Sequence, residues 1–121
     1  MKEANEMHPL VLAYIGDAVY ELYIRVYLTS ITNSKPHELH IKAISYVKAK
    51  AQAEILNKIM NVLTEEEKDV IRRGRNAKNH HIPKNADLND YMYATAFEAL
   101  IGYLYLTNKE RMEEILKLCI E

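Results

Sequence analysis

Between residues 91 and 106 the chain offers almost no polar face. Tyr91, Ala94, Thr95, Ala96, Phe97, Ala99, Leu100, Ile101, Tyr103 and Leu104 leave Glu98 as the single charge in this stretch. A helix apolar on nearly all sides belongs at the centre of a fold or in a subunit interface, so the other elements must wrap it. A second apolar segment covers residues 9 to 28. Its Leu12, Ile15, Val19, Leu22 and Val26 recur at helical steps, and Pro9 suits a helix start. With only 3 Gly and 3 Pro in 121 residues, little turn material exists for many short strands, which favours a few long helices.

The remaining segments fit that reading. Ser34 and Lys35, just before Pro36, should be non-helical. A helix is then expected over residues 36 to 60, with Leu39, Ala43, Val47, Ala51, Ile55 and Ile59 on its apolar side. Thr64 followed by Glu65, Glu66 and Glu67 is a capping box that opens a third helix, expected to fade near Gly74. Residues 74 to 86 read as an exposed loop. Asp87 or Asn89 can cap the long apolar helix, and residues 109 to 120 form a last amphipathic one. The expectation is an all-α bundle of about five main helices, in one domain spanning residues 1 to 121.

Apolar residues at 49% and charged residues at 27% describe an ordinary globular mix rather than a disordered chain. Asp17, Glu21 and Arg25 interrupt the apolar run of residues 11 to 28, so no membrane span is expected. The N-terminus has no apolar signal region. The single cysteine, Cys119, cannot form an internal disulfide. Together these point to a reducing, cytoplasmic setting. The net charge of −1 conceals a segregation. Residues 68 to 84 hold six Lys/Arg (Lys68, Arg72, Arg73, Arg75, Lys78, Lys84) against Asp69 alone, leaving ten Lys/Arg and sixteen Asp/Glu elsewhere. Local field rather than net charge attracts a polyanion. Arg72, Arg73, Arg75, Asn76, Lys78, Lys84 and Asn85 suit phosphate and sugar contacts, with Lys50 and Gln52 as further RNA candidates. No aromatic side chain is interleaved there, which favours a duplex read by shape over stacked single strands. A solvated charged loop is the competing reading. His80 and His81 are read as surface residues, and His40 as near RNA or in the core.

Asp17 and Glu98 each sit inside an apolar helix. Buried carboxylates are costly unless paired, neutralised or bound to a metal. Both are therefore expected at a helix seam with a cation between them, unless each pairs with a base such as Arg25 or faces water. A hard cation such as Mg²⁺ takes oxygen ligands and is held by one or two carboxylates. No His or Cys cluster has zinc spacing. Gly16, just before Asp17, costs ~1 kcal/mol against alanine in a helix. It must allow either a tight helix crossing or the approach of a ligand. Glu21, one turn after Asp17, can serve as a minor ligand or pair with Arg25, the preferred reading.

Residues 12 to 28, LAYIGDAVYELYIRVYL, resemble the signature helix of the ribonuclease III family, and residues 96 to 106, AFEALIGYLYL, resemble its second motif. The stretches VYELYIR, VKAKAQA, RRGRNAK and PKN are similar to the Mini-ribonuclease III branch along nearly the whole chain. The resemblance implies the helical endonuclease-domain fold of that family and a homodimer built around the signature helix. It further implies Mg²⁺-dependent hydrolysis of double-stranded RNA, with Mn²⁺ able to substitute, leaving 5′-phosphate and 3′-hydroxyl ends. Asp17 and Glu98 are then the catalytic, metal-binding acids, supported by Gly16 and Thr95. The implied substrate is precursor 23S ribosomal RNA, with a ribosomal protein on that RNA as a further candidate partner. Two positions depart from the family: Ala13 and Thr95 stand where it has acids, which reduces the site to two acids per subunit. Without the family's separate RNA-binding domain, affinity must come from the catalytic dimer. A non-catalytic duplex-binding helical dimer is the alternative function, and a simple dimerisation protein a weaker third.

Overall fold

Capping side chains mark the starts of four helices in this protein. In the computed structural model, which describes residues 3–78 and 82–121, six α-helices follow one another: α1 Pro9–Ile31, α2 Pro36–Val47, α3 Ala49–Ile59, α4 Glu65–Asn76, α5 Leu88–Thr107 and α6 Lys109–Cys119. Two 3₁₀ turns, Ala4–Glu6 and Met60–Val62, complete the described elements. Thr64 accepts from the Glu67 backbone N–H at 3.1 Å, and Glu67 accepts in return from the Thr64 N–H at 2.9 Å. Asp87 caps α5 by accepting from the Asp90 N–H, Asn108 caps α6 by accepting from the Arg111 N–H, and His8 accepts from the Leu10 N–H just before Pro9. Asn79, His80 and His81 lie outside the described residues.

α5 is the axis of the bundle, as its all-round apolarity requires. α1, α3, α4 and α6 all pack on it, while α2 packs on α1. Phe97 and Tyr20 are fully buried and meet edge to face, with ring centroids 5.0 Å apart. Burying each ring contributes about 1.5–3 kcal/mol, and the edge-to-face contact adds ~0.5–1.5 kcal/mol. Leu12, Ile24, Leu56, Leu100, Ile101, Ile115 and Leu116 fill the space around them. Arg111 of α6 ties the N-terminus of α4 into this core. It donates to both Glu67 carboxylate oxygens, at 2.8 and 3.0 Å, and to the Val62 carbonyl at 2.8 Å. Burial works to raise the Glu67 pKa, but the Arg111 and Thr64 hydrogen bonds outweigh it and hold the carboxyl below its usual range.

Two boundaries differ from the sequence reading. The helix expected over residues 36 to 60 breaks at Lys48, whose backbone is extended (φ −65°, ψ 153°). The break lets α2 lie on α1 while α3 turns onto α5. Side chains from elsewhere satisfy carbonyls at the broken end: the Tyr20 hydroxyl donates to Tyr46 O at 3.2 Å, and the Gln52 amide to Val47 O at 2.8 Å. α4 also runs past Gly74 to Asn76. Gly74 is a contact point rather than a stop, since a Cβ there would lie 2.9 Å from Ala96 Cα.

The closest approach is between α1 and α5. A Cβ on Gly16 would fall 1.7 Å from the Glu98 carbonyl oxygen, and one on Gly102 would fall 2.0 Å from the Leu12 carbonyl oxygen. The two glycines are reciprocal, each opening its helix to the other's backbone. In an open helix, glycine to alanine gains ~1 kcal/mol. Here Gly16→Ala and Gly102→Ala should each cost at least about 3 kcal/mol, because backbone on both sides must move. Gly74→Ala, facing a less severe overlap, should cost less. Urea unfolding midpoints give the ranking, and stabilisation by Gly16→Ala would show that the helices do not touch there.

Candidate active site

The Gly16 contact decides where Asp17 lies. Because α1 meets α5 at the carbonyl of Glu98, the residue after Gly16 must neighbour Glu98. Asp17 is within hydrogen-bonding reach of the Glu98 carboxyl. The two acids expected to share a helix seam are thus brought together by a tight crossing, which resolves the two readings of Gly16 in favour of packing. The expectation that both acids are buried needs correction. Glu98 is half-buried, but Asp17 is exposed at the edge of the crossing. The competing reading with Arg25 fails on geometry, because Arg25 pairs with Glu21 at 3.1 Å, one turn along α1. His40 lines a different cleft, between α1 and α2.

Burial pushes the Glu98 carboxyl up to about 8. The hydrogen bond to Asp17 and the charge of Asp17 add to the rise, and the Gln52 amide opposes it. Without a cation the pair therefore retains a proton near neutrality. The donor set fits a hard divalent ion: two adjacent carboxylates, with the buried amide of Gln52 beside them. Gln52 donates to Glu98 Oε2 at 3.4 Å, and its own Oε1 is buried with no hydrogen-bond partner among the described residues. No group of three or more His, Cys, Asp or Glu among the described residues is arranged to hold a metal. The described residues bring two carboxylates together here, those of Asp17 and Glu98. Thr95, buried on α5, spends its hydroxyl proton on the Tyr91 carbonyl at 3.0 Å, which leaves the oxygen lone pairs to accept.

Gln52 also corrects the list of RNA contacts. It is 2% exposed, so its amide faces the carboxylates rather than a surface where a duplex could lie. Gln52, Leu56 and Ile59 recur at helical steps and form the buried face of α3, together with Ala51, whereas Ile55 is only half-buried. Lys50 is exposed on the same helix. Of the basic set, Arg72, Arg73, Arg75 and Asn76 lie on the last turns of α4 rather than on a loop, where cations complement the helix dipole. Arg72 pairs with Asp69, and Arg73 donates to the Met7 carbonyl at 3.3 Å. Lys78, Lys84 and Asn85 are exposed beyond the helix.

Arg75, Asn76 and Lys78 line a cleft of about 370 Å³ together with Tyr91 and Thr95. Those last two residues also line a smaller cavity of about 160 Å³ beside Gln52 and Glu98. The basic cleft and the cavity at Glu98 thus adjoin across a shared wall, and Tyr91 is a member of that wall that the sequence did not single out.

The raised carboxyl makes a stability prediction for the metal-free protein. Glu98 is protonated in both states below about pH 4, where an unfolded glutamate titrates. As pH rises from there towards 8, the unfolded chain releases a proton that the folded chain keeps. Stability is therefore lost across that window, by at most ~1.4 kcal/mol per unit. Melts with a chelator between pH 5 and 8 should show the wild type falling relative to Glu98→Gln. Parallel curves would contradict the raised Glu98 carboxyl.

Comparison with known proteins agrees with this geometry. The Ribonuclease III domain family model matches residues 10–109. The protein from Enterococcus faecalis named Mini-ribonuclease 3 is 50% identical over 124 aligned residues, covering 100% of this chain and 94% of that one. A protein of the same name from a Thermoanaerobacter species is 52% identical, covering 95% of this chain and 82% of its own. A crystal structure of a Fusobacterium nucleatum protein superposes with a TM-score of 0.87 at 36% identity, covering 99% of this chain and 97% of that one. With both acids on the two helices that the domain match spans, the chain belongs to the ribonuclease III family, among its Mini-ribonuclease 3 members.

Proposed function

We propose that this protein is an endoribonuclease that hydrolyses double-stranded RNA at the Asp17–Glu98 pair. The observation that carries the reading is the adjacency of these two acids, far apart in sequence, beside a basic cleft. The family acts on RNA duplexes with a divalent cation, and we assign Mg²⁺, with Mn²⁺ able to replace it. Asp17 and Glu98 would hold the ion, which would supply charge neutralisation at the scissile phosphate and a reactive nucleophile at neutral pH. The protein's own groups prepare that site. Glu98 lies within hydrogen-bonding reach of Asp17, and with its proton lost to solvent both carboxylates would be free to hold the cation. Arg75, Asn76 and Lys78 hold backbone phosphates next to them, with Arg72, Arg73, Lys84, Asn85 and Lys50 extending the contact. Phosphodiester hydrolysis leaves 5′-phosphate and 3′-hydroxyl ends. On the resemblance to the Mini branch, the substrate is precursor 23S ribosomal RNA, met in the cytoplasm.

The outer face of α1 supports a homodimer. Tyr14 is 81% exposed, Leu22 63%, Val26 59% and Val11 47%, and with exposed Ala18 they form one stripe. Such a stripe on a helix is self-complementary about a two-fold axis, so a second copy covers it. Asp17 lies beside the stripe, between Tyr14 and Ala18 in sequence, so pairing would place two sites on one assembly, one for each strand.

Asp17→Asn and Glu98→Gln should each slow cleavage of a labelled RNA duplex in Mg²⁺ at least about 100-fold while keeping a cooperative melt. Wild-type rates from both folded variants would refute the assignment. Duplex binding without cleavage by the wild type would favour a non-catalytic binding module instead. Arg75→Ala with Lys78→Ala should weaken duplex binding and flatten its salt dependence by about one phosphate contact per lost charge. An unchanged salt slope would remove the basic cleft from the RNA path.

A further inference from the structure

We infer that Gln52 is a positioning residue for this site: its amide holds the Glu98 carboxylate towards Asp17, in the orientation in which the two acids accept one divalent cation. The inference rests on the proposed function above and adds to it a residue on a third helix.

The amide has one possible orientation. Nε2 lies 2.8 Å from the Val47 carbonyl and 3.4 Å from Glu98 Oε2. The Val47 carbonyl can only accept, so the nitrogen must face it and Oε1 must face away. Oε1 is buried and has no hydrogen-bond partner among the described residues. A buried acceptor without a partner is costly, and an apolar side chain of similar volume would avoid that cost. The position otherwise suits such a residue, since Leu56 and Ile59 continue the same buried face of α3. The fold therefore keeps a polar group where packing alone would not, and what the group does there is point a donor at Glu98.

The chemistry of that donor is informative. A lysine or arginine would pair with the acids and compete with the cation for them. A neutral amide can direct a carboxylate oxygen without cancelling its charge. Its second bond anchors it, because Val47 ends α2 at the extended Lys48, and Gln52 closes that break. The break between α2 and α3 and the acid pair are thus joined through one side chain. Gln52, Thr95 and Glu98 line the same cavity of about 160 Å³.

The test uses Gln52→Met, which keeps length and removes the donor, and reads Mn²⁺ binding to the metal-free protein by calorimetry. Expected are a cooperative melt close to that of the wild type and Mn²⁺ affinity weakened on the order of 10- to 100-fold, the usual effect of removing a group that orients a metal ligand. In ¹⁵N-labelled wild type, the Gln52 side-chain NH₂ resonances should move as Mg²⁺ is added, with the midpoint of binding. This reading also decides the matter if Gln52→Met does not fold. If Gln52→Met binds Mn²⁺ as the wild type does and the NH₂ resonances ignore Mg²⁺, while Asp17→Asn loses binding, Gln52 is core filler and the acid pair stands without it. If the wild type binds neither ion, this inference and the proposed metal site fall together.

Discussion

The backbone contact between α1 and α5 is the constraint on which the rest of the structure depends. Gly16 lies against the Glu98 carbonyl, and Gly102 lies against the Leu12 carbonyl one turn away. No other residue fits at either place without parting the helices. Each glycine costs ~1 kcal/mol of helix propensity, which the buried Tyr20, Phe97 and Leu100 seam offsets. The same contact fixes the chemistry, since Asp17 follows one glycine and Glu98 carries the carbonyl facing it. Core packing and site geometry are therefore one feature, and the acids sit on rigid helices rather than on loops.

Electrostatics then follow from position. A carboxyl drawn half into the protein beside a second carboxyl resists ionisation, and Glu98 does so. A divalent cation held there would relieve that cost. The positive groups that would draw in a polyanion are kept off the acids themselves. Arg25 is occupied by Glu21, Arg111 by Glu67 and Arg72 by Asp69. Arg75 and Lys78 lie in the neighbouring cleft, beyond the wall of Tyr91 and Thr95. A chain with a net charge of −1 can in this way present a local positive surface without quenching its own acids.

Much of this was legible in the sequence because the signals are local. The apolar run around Phe97 announced the central helix α5, the Thr64–Glu67 box announced the start of α4, and the lone acids in apolar helices pointed to the pair that the α1–α5 crossing brings together. The break at Lys48 was not legible. No glycine or proline marks it, and its carbonyls are satisfied by Tyr20 and Gln52, which arrive through tertiary packing. Gly74 looked like a helix end because its actual partner, Ala96, is distant in sequence. Gln52 looked like an RNA contact because a polar residue in a basic helix is usually solvated; only the turn of α3 onto α5 buries it beside Glu98. The exposure of Asp17 was hidden for the same reason, since apolar neighbours in sequence do not say which face of α1 is covered.

The central claim is that one ion is shared by two side chains joined across the α1–α5 crossing. Anomalous diffraction from crystals soaked in Mn²⁺ tests it most directly. A single strong peak per chain is expected within bonding distance of a carboxylate oxygen of Asp17 and one of Glu98. A peak that touches only one of them, or that lies elsewhere on the surface with this pair still sharing a proton, would contradict it.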